Sequence, residues 1–315
     1  MVFSGKGRRA IQWMALCAAV LAALAACGGG STQQTAFKPT RVIAFGDESS
    51  VITSSSRKYA VNALDANDGI DCATNPIWVQ TVASIYGYVF AECNPSASAL
   101  VNALGRAAPG AKIDDVRAQI DTQVATGGVA STDLVLLLAG ANDVLALYTQ
   151  FPSRSEADII DDAKALGLRL ASQANRLVDQ GARVIISTVP DMGLTPYGVA
   201  QKAAFNDTDR AALLTRITSA LNAQMRVNIL NDGRFVGLVL ADEMVQAMVR
   251  SPISFSLTNA VDPACTVALP NCTTKTLVDT ATAATWLWAD ATRLSAGGQT
   301  RLGLLAQQRA QGNPF

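Results

Sequence analysis

Four short, nearly unbroken apolar runs recur along this chain, each followed by a longer stretch with helical spacing. That alternation restricts the fold more than any other feature. The runs are Arg41 to Phe45, Asp133 to Leu138, Arg183 to Val189 and Phe235 to Leu240. Runs this short and this apolar read as strands covered on both faces. Pro76 to Tyr86 has helical spacing, with Ile77, Val82 and Ile85 on one face. Ile113 to Val124 repeats the pattern through Ile113, Val116, Ile120 and Val124, with Asp114 and Asp115 near its start. Glu156 to Gln180 reads as a long amphipathic helix stopped at Gly181, followed by Asp207 to Leu230 and a closing helix from Ser295 to Gln311. Strands alternating with helices imply parallel pairing, helices on both faces and ligands at the carboxyl ends of the strands. The expected fold is therefore an α/β three-layer sandwich with a mainly parallel central sheet. The loops at Gly46, Gly140 and Pro190 should then share one rim. Ser49 to Ile70 and Ser251 to Thr285 do not fit the alternation and read as irregular insertions over that rim.

Residues 1–26 have the form of an export signal. Lys6, Arg8 and Arg9 precede an apolar, Ala-rich segment from Trp13 to Ala26, too short and wrongly flanked for a spanning helix. A plain secretory peptide would begin in the same way. Leu24-Ala25-Ala26-Cys27, however, resembles a bacterial lipobox, which implies that Cys27 is lipidated and becomes the mature N-terminus, attached to the membrane by several acyl chains. Gly28 after the Cys implies, by the same resemblance, sorting to the outer membrane. Residues 27–36 are rich in Gly, Ser, Thr and Gln and read as a flexible tether. Residues 37–315 then form one domain. The 25 basic and 25 acidic residues balance, and no basic block appears, so nucleic acid is not an expected partner. Of six cysteines, Cys17 leaves with the signal and Cys27 is the anchor. Cys72, Cys93, Cys265 and Cys272 allow three pairings in an oxidising compartment, and local pairing, Cys72 with Cys93 and Cys265 with Cys272, is the expectation. Zinc is the rival, but the spacing lacks a CxxC pair and the chain contains no His. No metal or cofactor is expected.

Five blocks in order carry a family resemblance. They are Phe45-Gly46-Asp47, Gly110 within Pro109-Gly110-Ala111-Lys112 (with Gly105 as the weaker alternative), Gly140-Ala141-Asn142-Asp143, Val189-Pro190-Asp191-Met192-Gly193-Leu194-Thr195-Pro196, and Ala289-Asp290-Ala291-Thr292-Arg293. In this order the chain resembles the GDSL, or SGNH, hydrolases, and their longer esterase/lipase branch in particular. Tyr59 and Asn62 in Lys58-Tyr59-Ala60-Val61-Asn62 extend the likeness to that branch. The resemblance implies a Ser nucleophile in the first block, a general-base His in the last, and an Asp three residues before it that orients the ring. It implies oxyanion donors at Gly110 and Asn142. A weak nucleophile needs a base, and developing negative charge needs fixed donors.

The two residues that would make bonds and move protons are missing. Glu48 stands at the nucleophile position and Arg293 at the base position, and no His exists elsewhere to substitute. A guanidinium stays protonated and cannot act as the base. Three readings follow. The first is a catalytically degenerate lipoprotein, a pseudoenzyme whose cleft binds an acyl or carbohydrate ester. The second is an active ester hydrolase with an atypical site, using Glu48 or Ser49 with Asp290. The third is an envelope scaffold with no designated protein partner. Glu48 and Arg293 are expected to form an ion pair across the former site, with Asp290 as second acceptor for the guanidinium.

Overall fold

The computed structural model describes residues 37–94 and 100–312. The export signal, the tether and Cys27 lie outside the described residues. Six strands form one sheet: β1 (Arg41–Gly46), β4 (Tyr88–Phe90), β5 (Leu100–Gly105), β6 (Asp133–Leu138), β7 (Arg183–Ser187) and β8 (Val236–Val239). Their order is β4-β5-β1-β6-β7-β8, and every pairing is parallel. Two short elements, β2 (Ala63–Leu64) and β3 (Ile70–Asp71), pair as a separate antiparallel ribbon.

Alternation along the central strands creates the three layers. Ile43 and Phe45 of β1, Val135 and Leu137 of β6, and Val184 and Ile186 of β7 point to one face. There they meet helices α2 (Ile113–Gly127), α3 (Ala141–Tyr148), α4 (Glu156–Asp179) and α6 (Arg210–Asn228). Val42, Ala44, Leu134, Leu136 and Ile185 point to the other face. They are covered by α1 (Trp78–Ser84), α7 (Ala241–Arg250) and α8 (Ala296–Gly312). Because both faces are covered, the strands carry no polar alternation, which is why they read as continuous apolar runs. A further helix that no sequence pattern announced, α5 (Pro196–Ala204), starts at a Thr195 cap with Pro196 in its first turn.

Several boundaries move for local reasons. The expected helix from Asp207 begins at Arg210, because Asp209 caps it through the Ala212 amide and Asp207 is turned back onto the Arg210 guanidinium. Helix α3 begins inside the Gly140-Ala141-Asn142-Asp143 block, which read only as the end of a strand. The insertions are also more ordered than their sequences suggested. Residues 251–285 contain β9 (Asn259–Pro263), which pairs in parallel with β10 (Trp286–Trp288). The two insertions meet at Asn62, a fully buried side chain whose Nδ2 donates to the carbonyls of Pro270 and Cys272 at 3.0 Å. Both local disulfides, Cys72–Cys93 and Cys265–Cys272, are formed. Among the described residues no helix is long and apolar enough to cross a membrane.

Candidate active site

The site is assembled at the carboxyl ends of β1, β5 and β6, and the backbone there admits little variation. Gly46 ends β1 at φ +135°, and a Cβ on it would stand 1.9 Å from the Leu138 carbonyl oxygen, so only glycine lets β1 run this close to β6. Gln119 of α2 holds this turn by accepting from the Gly46 amide (2.9 Å) and donating to its carbonyl (3.0 Å). Asp47 is buried and caps the one-turn 3-10 helix Glu48–Ser50, accepting from the Ser49 amide at 2.9 Å. Trp78 donates its indole N–H to Ser50 Oγ at 3.1 Å and ties that turn to α1. Glu48 therefore leaves a rigid corner with its side chain directed across the rim.

Its carboxylate meets three donors. The Gly110 amide donates to Oε1 at 2.8 Å. Asn142 Nδ2 donates to Oε2 at 2.9 Å. Arg293 Nη2 lies 3.0 Å from the same Oε2. Asn142 is held in turn: its Nδ2 also donates to the Ala111 carbonyl (3.0 Å), and its Oδ1 accepts from Arg293 Nη2 (2.8 Å). Arg293 is 7% exposed, and its Nη1 donates to Thr292 Oγ1 at 3.2 Å. The expected ion pair is thus present and screened from bulk solvent.

The electrostatics follow from this geometry. Burial alone would push the Glu48 carboxyl up; the Arg293 charge and the bonds from Asn142 and Gly110 outweigh it and hold the group below the ordinary carboxylate range. Arg293 loses solvation by burial, but the charges of Asp47, Glu48 and Asp290 more than offset that and keep it cationic. Burial pushes Asp47 up, with Arg293 opposing. Burial and then the Glu48 charge raise the Tyr59 phenol.

One expectation needs correction. Asp290 does not accept from the guanidinium. Its Oδ1 instead accepts the backbone amides of Thr292 (2.8 Å) and Arg293 (2.6 Å), closing the turn that carries Arg293. A short carboxylate three residues before a long Arg reaches its own turn more readily than the distant end of that side chain. Ser49 is tied to Asp47, since its amide donates to Asp47 Oδ1 at 2.9 Å. The structure therefore brings together Glu48, Gly110, Asn142 and Arg293, and it leaves Ser49 and Asp290 on supporting bonds. Thr292 and Gln119 went unnoticed in the sequence, because neither a hydroxyl beside the last block nor an amide on a helix is distinctive. Among the described residues no group of three His, Cys, Asp or Glu side chains could hold a metal.

A family model described as GDSL-like Lipase/Acylhydrolase matches residues 42–279. Comparison with curated protein sequences finds no match. Among solved structures, the chain is similar to the lipase Lip_vut3 from a goat rumen metagenome, at 10% identity and a TM-score of 0.50, covering 87% of this chain and 99% of that one. It is also similar to an acetylxylan esterase from Geobacillus stearothermophilus (14% identity, TM-score 0.41, 87% and 96% covered). A member of the lipolytic G-D-S-L family from Veillonella parvula gives 13% identity and a TM-score of 0.41, with 85% and 96% covered. At 10% identity the likeness to the goat-rumen lipase bears on the fold alone.

Proposed function

The chain belongs to the GDSL-like lipase/acylhydrolase family, and from that premise we propose that it is a member whose hydrolytic site is occupied by its own Glu48 and does not turn over esters. One observation carries this reading: the Glu48 carboxylate sits on the Gly110 amide and Asn142 Nδ2, the two donors that would otherwise receive an ester carbonyl oxygen. Oxyanion stabilisation requires those donors to be free and aimed at the developing charge. Here they are already saturated by a full negative charge. Nothing at the base position can accept a proton, because Arg293 is a buried, charge-stabilised cation.

The atypical-hydrolase reading asks Glu48 or Ser49, working with Asp290, to activate a nucleophile. A general base works best with a pKa near the operating pH, whereas Glu48 is held low. Asp290 is committed to the backbone amides of Thr292 and Arg293, and Ser49 has no histidine base beside it, its amide being bonded to the Asp47 carboxylate. A non-catalytic role, as an envelope scaffold or as a binder whose ligand must displace Glu48, agrees better with a cleft filled from within. In this proposal the chain is exported and attached to the outer membrane through Cys27, a reading that rests on Leu24-Ala25-Ala26-Cys27; Cys27→Ala should release the chain from membrane fractions.

The test is hydrolysis of short and medium p-nitrophenyl esters by the full chain. The natural protein is expected to be silent, and Glu48→Ser/Arg293→His to gain turnover that Asn142→Ala then removes. Turnover by the natural protein that is lost in Asn142→Ala would overturn the proposal.

A further inference from the structure

Glu48 is not only an obstruction; its partners describe what the pocket recognises. Two neutral donors, the Gly110 amide and Asn142 Nδ2, are suited to the partial charge of a carbonyl oxygen. Here a guanidinium joins them, with Nη2 3.0 Å from Oε2. Two separate donors on the two carboxylate oxygens plus a cation match a full carboxylate in charge and in geometry. The guanidinium's other contacts within this cluster, Asn142 Oδ1 and Thr292 Oγ1, are neutral oxygens. Asp47 and Asp290 act on it by charge, but each gives its Oδ1 to backbone amides, of Ser49 and of Thr292 and Arg293 respectively, and neither stands in salt-bridge contact with it. Glu48 is therefore the carboxylate in direct salt-bridge contact with Arg293.

We infer that Gly110, Asn142 and Arg293 form a carboxylate receptor that Glu48 fills in cis, and that the ligand class it takes in exchange is a short-chain monocarboxylate. This inference rests on the non-catalytic reading above. Gly110, whose amide donates to Glu48, is exposed and also lines an open groove of about 500 Å³ together with Arg106, Pro109, Asp115, Gln119 and Thr122. When the competent state is only the fraction with Glu48 displaced, the apparent affinity falls by that fraction.

Replacing Glu by Ala removes four heavy atoms, the same number and bonding as acetate, so acetate is the natural probe. The full-length Glu48→Ala chain is melted with sodium acetate, with sodium chloride at equal ionic strength, and with neutral acetamide, alongside the natural chain. Acetate should raise the melting temperature of Glu48→Ala, with acetamide and chloride giving no such rise. The natural chain should need at least about tenfold more acetate for the same shift. Adding Arg293→Met to Glu48→Ala should abolish the acetate response. Glu48→Ser, with the same readout, covers the possibility that the Ala variant folds poorly, and restoration of a cooperative melt by acetate would count in favour. The inference is overturned if acetate does no more than chloride for both variants, whether they melt cooperatively or stay unfolded in its presence. Because the readout is binding without turnover, ester hydrolysis by the natural chain would refute the non-catalytic reading independently of this result.

Discussion

Two buried cations in this molecule are satisfied in opposite ways. At the rim, Arg293 faces a carboxylate, Glu48, on a neighbouring turn. Beneath the first insertion, Lys58 has 0% exposure and its Nζ donates to three backbone carbonyls, those of Cys72 (2.9 Å), Thr74 (2.8 Å) and Asn75 (3.0 Å). Burial pulls the Lys58 ammonium down to about 8, with Asp71 opposing. Three N–H bonds meet three acceptors, so the ammonium acts as a fastener for the loop that also carries the Cys72–Cys93 disulfide. The difference is instructive. A cation balanced by carbonyl dipoles is built into a single backbone arrangement. A cation balanced by a side-chain carboxylate has a partner that another carboxylate can imitate.

The largest test of this contrast is Arg293→Met. It strands Glu48 and Asp47 in a desolvated corner and should cost about 3–5 kcal/mol in denaturant unfolding. Glu48→Met/Arg293→Met should cost less than the sum of the single changes. Additive single effects would show that the two charges do not act as a pair. Next comes Lys58→Met, which leaves the carbonyls of Cys72, Thr74 and Asn75 without their donor and should cost about 3 kcal/mol. Here no second substitution should relieve the loss, since the partners are backbone; a loss under about 1 kcal/mol would mean that water serves the carbonyls equally well.

The last effect, spread over a pH range, concerns Asp143, which adjoins the rim cluster and accepts from the Ile113 amide at 3.1 Å rather than from a cation. Burial raises its carboxyl to about 6. A raised folded-state pKa adds stability that is fully present below the unfolded value and is lost as pH rises through about 6. Glu48 has the opposite sign: its depressed pKa adds stability present above the unfolded value and lost as pH falls through the folded one. Asp143→Asn should therefore flatten the fall in stability between about pH 4 and pH 6, an effect of at most about 3 kcal/mol spread over that range. Chemical denaturation at stepped pH checks it, and an unchanged slope would assign that fall to other groups.

Much of the frame was legible in the chain. The runs at 133–138 and 183–187 became β6 and β7 because a strand covered on both faces must be apolar at every position. Strands β4 and β5 were not legible: Tyr88–Phe90 is three residues long, and Leu100–Gly105 carries a polar Asn102 amid small residues. Their pairing is decided by the neighbouring β1 edge, which no local pattern encodes. Helix α7 escaped notice although it is amphipathic, because its Ala241 follows β8 after a single residue.

At the site, the residue types alone determined that a Glu and an Arg stand where a nucleophile and a base would be, and that no His could replace them. An ion pair between them was readable as well, since opposite charges brought to one rim attract. Only the tertiary structure decided where each carboxylate points. Glu48 leaves a turn braced by Asp47, Gln119 and Trp78, and so reaches Gly110 and Asn142, 62 and 94 positions away along the chain. Asp290 closes its own turn instead. Side-chain direction depends on backbone torsions and on partners remote in sequence, whereas strand burial and charge type are local properties of the residues themselves.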